Sequence, residues 1–234
     1  MITDPRLLYN EFLHPGVDFA DAGEVEVYDS YMQKLRNIGP EVDKVRAAVG
    51  LAAGDTVLDI GCGTGEMAIG LAAHCRQVIA VDVSAAMVEY AAAKAARRDS
   101  RPITFRQAGF LTFEQPPASL DVVISQFALH HLPDFWKFNA LRRVHAALKP
   151  GGRFLLQDAV LPGNVADYQS YLTDVIAKIE AVGGDKVARD SEKSFREEFV
   201  TLDWIMAGLL AKAGFTITRE EYGAPFIGSY RCVK

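Results

Sequence analysis

Three glycines at alternate positions, Gly61, Gly63 and Gly65, follow the apolar run Thr56-Val57-Leu58-Asp59-Ile60, with Cys62 between the first two. Glycine in such a turn permits positive φ and lets backbone approach a ligand with no Cβ in the way. A buried strand, this turn and then a helix make the first βα turn of a doubly wound sheet, and such sheets bind ligands at the carboxyl ends of their strands. Further on, Ala80-Val81-Asp82-Val83-Ser84 sets a second carboxylate at a strand tip, where it can accept both hydroxyls of a ribose.

Three ligand classes compete for the glycine turn. A P-loop requires Gly-Lys-Ser/Thr, but Gly65 is followed by Glu66-Met67. A dinucleotide turn reads G-x-G-x-x-G; here the third glycine comes one residue early, and Glu66 takes the helix N-terminus where a pyrophosphate would sit and be repelled. S-adenosylmethionine has no phosphate and carries a sulfonium and an ammonium, which suits an acid such as Asp59 at the strand end. Asp82 does not discriminate, because NAD proteins use the same device.

The elements that position these residues follow from periodicity. Strands are predicted over 56–60, 77–81, 103–107, 121–125, 153–158, 216–220 and 226–232. Helices are predicted over 41–49, 66–74, 85–97 with Ser84 as N-cap, 138–148 and 167–180. A last buried stripe, Leu202 to Leu210, is ended by Gly214; its start is open between a Ser194-x-x-Glu197 capping box and Thr201 with Asp203. The charged run 190–198 reads as a solvated helix face. Strand and helix alternate through the middle of the chain, which means a parallel sheet covered by helices on both faces.

Composition sets outer bounds. Half of the 234 residues are apolar and 24% are charged, as in an ordinary globular chain. The net charge of −5 disfavours nucleic acid as main partner. No uncharged apolar run approaches the ~18–20 residues of a membrane span, and no secretory signal opens the chain. Cys62, Cys75 and Cys232 are odd in number and unclustered, so reduced thiols in a cytoplasmic protein are expected, with no metal site.

Taken in order, Asp59-x-Gly61-x-Gly63-x-Gly65, Val81-Asp82-x-Ser84, Asp121-Val-Val-Ile-Ser-Gln-Phe-Ala-Leu-His-His-Leu132 and Leu148-Lys-Pro-Gly-Gly-Arg-Phe154 resemble the class I S-adenosylmethionine-dependent methyltransferases. Within them the chain is similar to the small-molecule branch that includes the ubiquinone/menaquinone-pathway methyltransferases. The match covers about residues 41–160. The resemblance implies an α/β, Rossmann-like, doubly wound seven-stranded sheet of order 3-2-1-4-5-7-6 with the last strand antiparallel. It divides one methyltransferase domain, 1–234, into an N-terminal helical lid (1–40), a cofactor-binding core (41–160), an inserted helical segment covering the substrate (161–200) and a closing helix with two strands (201–234).

Carried over residue by residue, Asp59, Gly61, Cys62, Gly63 and Gly65 border the methionine part of the cofactor. Asp82 holds the ribose, Val83 and Met87 lie against adenine or ribose, and Gln126 faces the methionine end. Where the family often has an acid for the adenine amino group, this chain reads Gln107-Ala108-Gly109-Phe110, which leaves that contact to backbone groups of Gly109 and Phe110. Tyr28 and Tyr31 fall in the lid. Adjacent residues at a strand end point to opposite sides, so His130 should pack under the sheet edge while His131 faces the methyl-transfer pocket. Asp158, ending the fifth strand on the same rim, is the second candidate to touch the acceptor or take its proton.

The fourth strand ends in Ser125-Gln126-Phe127-Ala128, not the Asn/Asp-Pro-Pro-aromatic string of nucleobase and glutamine amino-methyltransferases, and no Pro-Cys pair exists for attack on a pyrimidine. A small-molecule acceptor is therefore expected, with methyl transfer to an O, N, S or C nucleophile by in-line displacement. A regulatory or partner protein that keeps the fold without transferase activity is the alternative; an oxidoreductase is disfavoured by the glycine spacing.

Overall fold

The computed structural model describes residues 4, 6–13, 16, 23, 25, 28–30, 32, 36–100 and 102–234. The first apolar run forms β1 (Thr56–Ile60), buried along its whole length because β2 (Gln77–Asp82) and β4 (Leu120–Gln126) pair with it in parallel on either edge. β3 (Ile103–Gln107) extends the sheet beyond β2, and β5 (Leu148–Leu161) lies parallel to β4. β7 (Thr216–Ala224) and β8 (Ile227–Val233) close the far edge, β8 running antiparallel to both β5 and β7. The order β3-β2-β1-β4-β5-β8-β7 is the expected spatial order. The last two strand numbers rise by one because a two-residue strand, β6 (Thr201–Leu202), pairs with Val160 and Leu161 of β5.

Helices cover both faces. On one side α1 (Ile38–Val49) and α2 (Glu66–Ala72) pack Val42, Val45, Met67 and Leu71 onto Val57, Val78 and Val122. On the other, α4 (Asp134–Ala147) and α7 (Asp203–Ala213) pack Leu141, Val144, Met206 and Leu210 onto Leu58, Val123 and Phe154. Successive residues of a strand face opposite sides, so neighbours such as Val57 and Leu58 enter different cores. Gly50 ends α1 in the left-handed conformation, and Ser84 Oγ accepts from Met87 N at 3.2 Å to start α3 (Ala85–Arg97). The described residues at 23, 25, 28–30 and 32 are also helical. No helix among the described residues is long and apolar enough to cross a membrane.

Two expectations require correction. The fifth strand does not end at Asp158: it continues through Leu161, because Ala159 pairs with Ile227 and Val160 with Thr201. Ser194 and Glu197 are not a capping box, since they form the last turn of the charged α6 (Asp185–Glu197), which follows α5 (Tyr168–Gly183); Asp203 is where the next helix opens. Between α6 and β6, the chain is tied to α4 through Lys137, whose fully buried side chain donates to Asp134 at 2.7 Å and to the Phe199 carbonyl.

Candidate active site

The strand order reverses between β1 and β4, the switch point at which a doubly wound sheet opens a crevice beyond its carboxyl ends. A cavity of about 560 Å³ lies there. The glycine turn forms its floor. Gly61 N and Cys62 N donate to the Val81 carbonyl at 2.8 and 3.0 Å, stitching the turn to β2. Gly61 has φ +75°, and a Cβ there would come within 2.3 Å of Ala128 Cβ, so both conformation and space demand glycine. Gly65 does not line the cavity; a side chain at that position would meet Ala91 at 2.8 Å, so its role is helix packing.

Asp82 is fixed by two backbone donors, Gly63 N to Oδ2 at 2.8 Å and Ser84 N to Oδ1 at 2.9 Å, and lines the cavity. Asp59 is almost fully buried, and its Oδ2 has no hydrogen-bond partner among the described residues. Burial and then the nearby Asp82 charge push its pKa up to about 7, against the opposing pull of Arg36. Burial, with the same two acids, holds the Cys62 thiol well above its usual range, which argues against a nucleophilic thiolate. Val83, Met87, Gly109, Phe110, Gln126, His131 and Tyr28 also line the cavity. Tyr31 lies outside the described residues.

Further lining residues come from the N-terminal segment, where no motif marks them, among them Glu11, Asp29 and Arg36. Glu11 accepts from Leu111 N at 3.0 Å and from Thr112 Oγ1 at 2.7 Å. Its carboxylate occupies the space beside Gly109, where an added Cβ would sit 2.4 Å from Glu11 Oε2. Asp29 accepts from Thr64 Oγ1 at 2.5 Å and pairs with the buried Lys94. Arg36 binds Glu41 at 2.6 Å and donates to Gln126 Oε1 at 3.0 Å. The glycine at 109, in place of an acid, was the available sequence signal for Glu11.

The histidines do not point to opposite sides. They sit on a single 3-10 turn (Leu129–His131) rather than on a strand end, with ring centroids 4.4 Å apart. His130 is buried: Nδ1 meets Asp158 Oδ1 at 2.5 Å and Nε2 meets Glu198 Oε2 at 3.1 Å. Burial alone would lower its pKa, but the two carboxylates outweigh that and raise it. Asp158 is fully buried and also accepts from the His130 and Ala159 amides, so it does not reach the cavity as a rim acid would. His131 does line the cavity, with Nδ1 3.8 Å from Glu198 Oε1.

The cavity thus pairs a buried carboxylate that has one unpartnered oxygen with a carboxylate held by two backbone amides, across the floor of the Gly61–Gly63 turn. That arrangement fits an adenosyl group carrying cations, and S-adenosylmethionine has both features. Comparison with known proteins points the same way. A family model described as a methyltransferase domain matches residues 57–152. An uncharacterised methyltransferase of Geobacillus kaustophilus is 32% identical over 225 residues, spanning 94% of this chain and 98% of its own. The fold is shared with a SAM-dependent methyltransferase from Aquifex aeolicus (TM-score 0.65, 18% identity, 91% of this chain and 98% of that one). It is also shared with a Haemonchus contortus phosphoethanolamine N-methyltransferase solved with S-adenosylhomocysteine (TM-score 0.66, 20% identity, 88% and 46%). With the relative covering nearly the whole chain, the cofactor is S-adenosylmethionine and the protein belongs to the class I S-adenosylmethionine-dependent methyltransferases.

Proposed function

We propose that the chain methylates an O, N, S or C nucleophile of a small molecule by in-line displacement, with His131 at the acceptor end. The observation that carries this reading is one cavity with the paired acids Asp59 and Asp82 on its floor and His131 on its wall. When bound, S-adenosylmethionine supplies a methyl group on a sulfonium whose departure leaves a neutral thioether. The protein's task is then alignment in a closed site, a contribution of up to ~7–11 kcal/mol.

Each lining residue has a part in that alignment. Asp59, with the backbone of Gly61 and Gly63, takes the ammonium side of the methionine part. Arg36, beside Gln126, brings a cation to the carboxylate of the same part. Asp82 accepts from the ribose hydroxyls, and Val83, Met87 and Phe110 pack on the adenine side. Glu11 delivers from the N-terminal segment the acid that Gly109 lacks, and accepts from the adenine amino group. Cys62 serves as a small residue in the turn. Tyr28 belongs to a roof it forms with Glu11, Asp29, Met32 and Arg36, whereas no residue of α5 or α6 lines the cavity. The 161–200 segment acts through Glu198, which supports the histidine turn. His131 contacts the acceptor and receives a proton from a nucleophile that must lose one. One domain, 1–234, carries all of these parts.

The deciding experiment is a screen of hydroxyl, amine, thiol and activated-carbon acceptors by release of S-adenosylhomocysteine. Release with one class and its loss in His131→Ala support the reading. Tight cofactor binding with no release from any class would assign a cofactor-binding regulator instead.

A further inference from the structure

Beneath the acceptor wall lies a side-chain cluster that cofactor binding does not use. His130, His131 and Glu198 each present one ligating atom, and these atoms all lie within 4.8 Å of one another. The His130 Nε2 to Glu198 Oε2 separation is 3.1 Å, and His131 Nδ1 to Glu198 Oε1 is 3.8 Å. Zinc bonds of about 2.0–2.1 Å in tetrahedral geometry require ligand atoms roughly 3.3 Å apart; the two spacings, one to each Glu198 oxygen, lie near that value, and the widest pair of ligating atoms must close in from no more than 4.8 Å. His130 turns its other ring nitrogen to the buried Asp158, the carboxylate–histidine arrangement that fixes the tautomer and orientation of a metal-bound imidazole.

The cluster is also braced from outside. Glu198 is gripped by Ser194 Oγ, the Phe199 amide donates to the His130 carbonyl at 2.9 Å, and Lys137 and Thr201 tie this stretch to Asp134 of α4. Two imidazoles and one carboxylate are the donor set of zinc and other first-row divalent metals, not of calcium or magnesium.

We propose that His130, His131 and Glu198 bind a divalent first-row metal ion, zinc in the first instance, with Asp158 as the supporting carboxylate. Metal entry displaces the His130 Nε2 proton to solvent and leaves a fourth position open on the His131 side, toward the cavity. That position takes an oxygen of the acceptor, a hydroxyl or carboxylate; this last part rests on the proposed function, while the metal site does not. A metal-bound hydroxyl would lose its proton to solvent more readily, so the ion would prepare the nucleophile without His131 acting as the base.

The test is calorimetric titration of the full-length, chelator-treated, untagged protein with zinc chloride, and with cobalt chloride followed by visible absorption. One site per chain, a tetrahedral cobalt spectrum, and at least a tenfold loss of zinc affinity in both Glu198→Gln and His131→Ala are expected. Glu198→Gln should keep the parent's affinity for S-adenosylhomocysteine, which shows that the fold and cofactor site are intact. Absence of saturable zinc binding by the parent protein overturns the proposal, as does equal zinc affinity in folded Glu198→Gln. Neither result decides whether the chain transfers methyl groups, which the acceptor screen reads separately.

Discussion

At the scale of single residues, Asp82 and Asp59 show how one type of side chain is set to two tasks. Asp82 is immobilised at the cavity wall by the amides of Gly63 and Ser84. Asp82→Ala should weaken cofactor binding by ~1.5–3 kcal/mol, read by calorimetry with S-adenosylhomocysteine. Asp59, by contrast, is held near neutrality by burial and by Asp82, with its pKa at about 7. A cationic ligand favours the ionised carboxylate, so binding releases a proton below that pH. Affinity for S-adenosylmethionine should rise between pH 5.5 and 7.5 and then level off, and Asp59→Asn should flatten the profile. The sign for the unliganded fold is opposite. Between the ordinary value of 3.8 and about 7 the folded state binds a proton that the unfolded chain has lost, so this group's stabilisation fades as pH rises through that window. Glu11 offers a third test. Glu11→Ala should weaken cofactor binding, read by calorimetry with S-adenosylhomocysteine, whereas Gly109→Asp should not substitute for it, because a Cβ at residue 109 also meets Val83 Cγ1 at 2.6 Å.

At the scale of elements, the strand–turn–helix unit depends on Gly61. Gly61→Ala forces a Cβ against Ala128 at positive φ, and a stability loss of ~1–3 kcal/mol in denaturant titration is expected, together with impaired cofactor binding. The central strands were legible in the sequence because strands covered on both faces are continuous apolar runs, as Val57-Leu58 and Val122-Val123-Ile124 show. The far end of β5 was not: a carboxylate at 158 reads as a strand end until the buried partner His130 is known. β6 has two residues and no periodicity to detect. The glycine turn and Asp82 were legible because one local stretch holds the whole device. Glu11, Asp29 and Arg36 were not, since each reaches the cavity by a contact remote in sequence.

At the scale of the molecule, the cavity lining carries five carboxylates (Glu11, Asp29, Asp59, Glu66, Asp82) against two guanidiniums (Arg36, Arg98). Part of the net charge of −5 therefore does stand around the cofactor site, although Lys94 and Arg98 neutralise Glu66. A ligand held there stabilises the whole fold by mass action. S-adenosylhomocysteine at a hundred times its Kd contributes ~2.7 kcal/mol, which for a chain of this size should raise Tm by roughly 5–11 °C in a thermal scan.

The bond between Glu11 and Leu111 joins residues one hundred positions apart, across most of the sheet's first half. That bond sets an order in time. Closing a loop of this length costs little more than closing one half as long, but it has nothing to close onto until the turn after β3 exists. Refolding should therefore regain far-ultraviolet dichroism first and the capacity to bind S-adenosylhomocysteine later. In Glu11→Ala the first phase should keep its rate.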